Sequence, residues 1–247
     1  MSDPLTQFGL VLAALLHDAG HEGVPPAVHR DESHKHASFE TALSMLLENN
    51  EYEALRDTIL GGPSELEGSD NFGCSQAERQ ERFHQLLVDC IGTTHTFEEQ
   101  VKERRFGTGE NITNPDSQTE GSSENSEGTV AIQALIQASD VLHTMQPWHV
   151  YREWNERLFA EHYKAYKEGR TEVDPSGIWF KAEIGFLDNY ILPLAKRLQD
   201  TGVFGSLGNE CWALAKANRL AWRLKGPSAV NEMIRKVALE QAMANWH

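Results

Sequence analysis

Basic residues are scarce in this chain of 247 residues: 22 lysines and arginines stand against 37 acids, for a formal charge of -15. Such a surplus disfavours non-specific attraction to nucleic acid or to anionic membrane surfaces, so no nucleic-acid partner is expected. A phosphate-bearing ligand would then need a local positive charge, and a metal ion supplies one by being the largest charge in its site. Cysteine is also rare. Cys74, Cys90 and Cys211 are widely spaced, odd in number and form no C-x-x-C pair, which argues against a disulfide framework and a thiolate zinc site. A reducing, cytoplasmic setting is expected, with any membrane attachment left to a longer parent. Long hydrophobic runs are missing: the stretch from Phe8 to Leu16 is too short to span a bilayer, and Met1 to Gln7 carries no positive charge of the kind that opens a signal peptide. It reads as a buried helix, with no membrane segment in the chain. Few segments alternate with period two, which speaks against a sheet-built fold.

What is present is helical period in a chain long enough, at 40 % hydrophobic residues, to bury a core as one domain or two closely packed lobes. After Pro147, the residues Tyr151, Trp154, Leu158, His162 and Tyr166 recur at spacings of three and four and draw one stripe along a helix. Ile184, Leu187, Ile191, Leu194 and Leu198 draw a second. Further helices are expected at about 37–60, 76–104, 130–143, 209–223 and 227–245, so the fold class is all-α. Two polar segments interrupt the pattern. The first is a loop over 61–75, where Gly61 to Gly73 holds four glycines and Pro63 among acids. The second, 107–128, is rich in Gly, Ser, Asn and Glu and is expected to be a disordered insertion. Because it joins helices whose faces should pack together, it need not mark a domain boundary.

Chemistry concentrates in His17-Asp18-Ala19-Gly20-His21, at the end of the first apolar helix. Polar groups there must be satisfied, and imidazole and carboxylate are ligands for Zn, Mn or Fe, while carboxylate and water suit Mg. His17 and His21 lie one turn apart and share a face. Asp18 points about a quarter-turn away and needs a partner from elsewhere. Asp140, lying in Ile136 to Val141 at the end of an apolar helical run, is the candidate, since a lone buried carboxylate is costly. Hydrogen bonding across a helix junction is the plainer account of the same residues.

Three strings resemble the class I cyclic-nucleotide phosphodiesterases. Leu10 to Pro26 (LVLAALLHDAGHEGVPP) is similar to the family's second metal-binding signature. Ile136 to Tyr163 (IQASDVLHTMQPWHVYREWNERLFAEHY) resembles the segment in which an aspartate closes the metal site and a P-W-x-x-Y-x-x-W helix follows. Ala182 to Leu198 (AEIGFLDNYILPLAKRL) resembles the purine-binding segment. The order and separations fit over almost the whole chain, most closely to a divergent microbial-eukaryote branch.

The resemblance implies a helical catalytic domain of the HD type that hydrolyses a 3',5'-cyclic nucleotide, cAMP or cGMP, to the 5'-monophosphate and so ends a signal. It implies two divalent ions, Zn with Mg or Mn, held by His17, Asp18 and Asp140, with Asp18 as the bridge. His21 corresponds to a catalytic histidine beside the metals. Phe186 corresponds to the aromatic that stacks on the base, and Glu183 stands where most relatives have glutamine. A carboxylate only accepts hydrogen bonds, so ionised Glu183 should favour bases that present N–H groups. His143 stands where many relatives carry an asparagine near the nucleotide.

The pattern also has departures. The family's upstream H-N-x-x-H-A segment, which supplies the leaving-group acid and a metal ligand, has no counterpart before His17, so the domain reads as incomplete at its N-terminal end. Loss of that acid is worth roughly 10²-fold to 10⁴-fold in rate. Gly20 replaces the acid of H-D-x-D-H, His36 stands near where a carboxylate holds metal-bound water, and His95 takes the place of an aspartate. The alternative is therefore an inactive remnant that binds metal or nucleotide, or a subunit-interaction module. Association as a homodimer is compatible with either reading. A generic H-D phosphohydrolase is a third, disfavoured by the E-I-G-F string around Phe186.

Overall fold

The computed structural model describes residues 4–16, 44, 51, 53–60, 78–90 and 127–244, and all its regular elements there are helical. The chain divides into two compact units, Met1–Glu22 with Asp31–His95 and Gly23–Arg30 with Thr96–His247. No helix among the described residues is long and apolar enough to cross a membrane. The polar loop 61–75 and residues 107–126 of the expected insertion lie outside the described residues. Glu127 and Gly128, which the sequence placed in that insertion, instead begin a helix.

In the first unit, α1 (Pro4–Leu16), α2 (Glu53–Leu60) and α3 (78–90) are described. Leu10 and Ala13 of α1 are buried, as are Phe83, Leu87 and Cys90 of α3. The Phe8 and Phe83 rings stack at 6.2 Å. Gly9 admits the Leu86 side chain, whose Cδ2 would lie 2.6 Å from an added Cβ. The opposite face of α1 is open, with Val11 60 % and Leu15 72 % exposed, so the expected buried helix buries one face only.

The second unit contains α4 (Glu127–Val141), a 3₁₀ turn (Leu142–Met145), α5 (Trp148–Lys167), α6 (Pro175–Phe186), a π turn (Leu187–Ile191), α7 (Leu192–Asp200) and α8 (Ser206–Ala244). Local chemistry sets most boundaries. Gln146, ahead of Pro147, is extended (φ -102°, ψ 169°), as residues before proline prefer, and Pro147 opens α5. At the other end of α5, Gly169 adopts φ 69°, and the amides of Gly169 and Arg170 return to the carbonyls of Tyr166 and Ala165, which closes the helix by satisfying its last acceptors. Asp174 caps α6 by accepting the Ser176 amide at 2.9 Å, with Pro175 at the first helical position.

Three expectations are corrected. The inward stripe of α5 is Tyr151, Asn155, Phe159 and Ala165, and Trp154, which the spacing placed in one stripe with Tyr151, is 50 % exposed with the Arg157 guanidinium 5.0 Å over its ring. The rotation has a polar cause: Asn155 accepts the Trp179 indole N–H of α6 at 2.9 Å, which draws an amide into the core. The stripe from Ile184 to Leu198 is not one α-helix, because a π turn intervenes just ahead of Pro193, where the missing N–H and the ring disturb regular bonding. The helices expected at 209–223 and 227–245 are a single α8 that runs through Gly226-Pro227. Its buried positions, among them Cys211, Ala215, Asn218, Trp222, Val230 and Met233, keep one face across the proline, while Pro227 itself is exposed. α8 packs on α5, α6, α7 and both turns.

Candidate functional site

Of the expected metal ligands, Asp140 is described, and His17, Asp18 and the catalytic candidate His21 lie outside the described residues. Asp140 is half-buried in the last turn of α4. A helix C-terminus carries partial negative charge, so a carboxylate there adds to a local field that attracts cations. Its donor chemistry therefore fits a divalent ion. Among the described residues no group of three His, Cys, Asp or Glu side chains is placed to hold a metal, as expected when the other proposed donors lie outside that set.

The helix ends one residue after Asp140, and the 3₁₀ turn carries His143. The Thr144 hydroxyl donates to the Val141 carbonyl at 2.6 Å and helps tighten this turn. The half-buried His143 ring lies 6.4 Å from Tyr151 and 6.0 Å from Trp154, tilted to both.

Glu183 and Phe186 sit one turn apart on α6. Glu183 is 0 % exposed, and its Oε2 accepts the Tyr151 hydroxyl at 2.5 Å. A buried carboxylate is expensive without such a partner. Tyr151 is also 0 % exposed, packed edge-on to Trp148 at 6.0 Å and near Trp222 at 6.4 Å. Phe186 is 1 % exposed and its ring stacks on Tyr190 of the π turn at 5.5 Å and 9°. Tyr151 thus brings Glu183 and His143 into one neighbourhood. Periodicity marks Tyr151 as a core residue and misses this polar role; the available signal is that a buried phenol needs a hydrogen-bond partner.

Two further residues, not singled out by the sequence, hold these segments. Asn218, 1 % exposed, donates its amide to the carbonyls of Thr144 at 2.8 Å and Gln146 at 2.7 Å. Arg219 pairs with Asp188 of the π turn through two bonds, Nε to Oδ1 at 2.7 Å and Nη2 to Oδ2 at 2.8 Å, and this hydrogen-bonded pairing raises the arginine pKa. Arg152, next to Tyr151, links Glu156 of its own helix to Glu232 of α8, and its hydrogen bond and charge lower the Glu232 pKa.

The described elements define an all-α protein in which a buried acid, a phenol and an imidazole gather where α5, α6 and the 3₁₀ turn meet. The family model described as 3'5'-cyclic nucleotide phosphodiesterase matches residues 1–203. The chain belongs to that family. Among curated proteins none matches it significantly.

Proposed function

We propose that this chain hydrolyses a 3',5'-cyclic nucleotide to the nucleoside 5'-monophosphate, with His17, Asp18 and Asp140 holding two divalent ions and Glu183, Phe186 and His143 facing the nucleotide. Family membership over residues 1–203 carries the reading. Two such ions, when bound, lower the pKa of water and neutralise charge on phosphoryl oxygens. The protein's own contribution is orientation. Tyr151 anchors one oxygen of Glu183, so the carboxylate meets a base edge in a set direction and accepts from N–H groups such as the adenine amino group or guanine N1–H. Phe186 offers a flat apolar face to a purine once Tyr190 yields it. His21 contacts the phosphate or relays a proton beside the metal site.

The burial of Glu183 and Phe186 favours a second reading, that of a family member in which these side chains serve the core and no turnover occurs. Glu183→Gln separates the two. The first reading expects a change of about 10-fold in the relative affinity for cAMP and cGMP, the size of one charged hydrogen bond. It also expects 5'-monophosphate to form when Mg or Mn is supplied with Zn. Equal affinity ratios before and after the substitution, with no product from either nucleotide, would leave the second.

A further inference from the structure

Asn218 and Arg219 are consecutive residues of α8, beyond the stretch that the family model matches. Each grips a different segment. An amide NH₂ has two hydrogens to donate, and Asn218 bonds the carbonyls of Thr144 and Gln146, where the 3₁₀ turn ends and helical donors run out. Arg219 forks onto Asp188, the second residue of the π turn that follows Phe186. A bidentate pair fixes orientation as well as distance. Two neighbouring residues on one rigid helix therefore tie the segment carrying His143 to the one that leaves Glu183 and Phe186.

We infer that Asn218 and Arg219 are positioning residues, which hold these two segments in a fixed relation so that His143, Glu183 and Phe186 act on one nucleotide. This rests on the nucleotide-facing assignment given under Proposed function. The Arg219 and Asp188 side chains are 29 % and 34 % exposed, and ion pairs so open to water add little to stability. What the pair supplies is geometry, and small misplacements of binding groups have large consequences for ligands.

The test uses the full chain as wild type, Arg219→Met, the exchanged pair Asp188→Arg with Arg219→Asp, Asn218→Asp and Glu183→Gln. Two quantities are measured: affinity for fluorescent analogues of cAMP and cGMP, and amide hydrogen exchange in peptides covering 142–147 and 187–192 without nucleotide. Arg219→Met should speed exchange at 187–192 by roughly 10-fold and weaken nucleotide binding roughly 10- to 100-fold, while the melting temperature hardly moves. The exchanged pair should restore both. Asn218→Asp, equal in shape but without the donors, should act in the same way at 142–147. If that buried variant does not fold, the Arg219 series decides alone. Wild-type affinity in Arg219→Met, or no recovery in the exchanged pair, overturns the inference. If Glu183→Gln shifts the affinity ratio while Arg219→Met leaves binding unchanged, the positioning role fails and the site reading survives. Absence of nucleotide binding by the wild type overturns both.

Discussion

Glu183 and Asn155 show how single polar side chains are accommodated inside an apolar interface. Each meets one partner across the α5–α6 contact, Tyr151 for the carboxylate and the Trp179 indole for the amide, and the two bonds lie one turn apart on both helices. Leaving such a group unpaired would cost about 1–3 kcal/mol. Cys90 illustrates burial without a hydrogen-bonding role. Desolvation, helped by the nearby Asp89 charge, pushes its thiol up to about 11 from a usual 9.0. Folding thus favours the neutral thiol, so its contribution is complete below about pH 9 and is lost as pH rises through about 11. The loss is at most about 3 kcal/mol. Iodoacetamide at pH 8 should label Cys90 far more slowly in the native chain than in denaturant, as read by peptide mass spectrometry. Cys90→Ala should flatten the fall in stability between pH 9 and 11. Equal labelling rates in the two states would contradict this account.

Among the elements, α8 illustrates how close approach outweighs propensity. Glycine inside a helix costs about 1 kcal/mol relative to alanine. Yet a Cβ on Gly226 would lie 2.5 Å from Phe180 Cδ2 and 2.6 Å from Trp222 Cε3, both ring atoms with little freedom to yield. Gly226→Ala is therefore expected to destabilise by about 1–3 kcal/mol despite its better propensity. Gly177→Ala in α6, where nothing lies within 4 Å, should instead be neutral or stabilising by up to about 1 kcal/mol. Urea unfolding of the two variants checks the pair, and equal shifts would remove the steric explanation. The same interface explains why Gly226-Pro227 does not divide the helix. Trp222, Ala229, Val230 and Met233 remain buried on both sides of a proline that itself faces solvent, and their burial offsets the hydrogen bond that proline cannot make.

At the scale of the whole chain, the second unit depends on a helix that lies beyond the family match. α8 packs on α5, α6, α7 and both turns, and it supplies Trp222, one of the largest fully buried side chains. A chain ending at Gly205 should lose cooperative unfolding and near-ultraviolet circular dichroism while keeping much of its helicity, the signature of a core without fixed packing. Retention of a sharp transition would show that residues 127–205 carry the core unaided. The sequence by itself determined the helical class, because three- and four-residue spacing recurs throughout. It also identified the family, because three motifs stand in order. Legible too were α4 and the inward positions of α7, since each carries its signal in a short string, while Asp140, Glu183 and Phe186 stand as candidates named from strings of the same kind. Tertiary structure alone decided that α5 turns Asn155 inward in place of Trp154, that a π turn follows Phe186, and that Tyr151 meets Glu183, Asn218 the carbonyls of Thr144 and Gln146, and Arg219 the Asp188 carboxylate. The physical reason is that a directed hydrogen bond depends on where its partner lies in space, and Tyr151 finds Glu183 32 residues away and Asn218 finds Thr144 74 residues away, distances over which no local periodicity carries information.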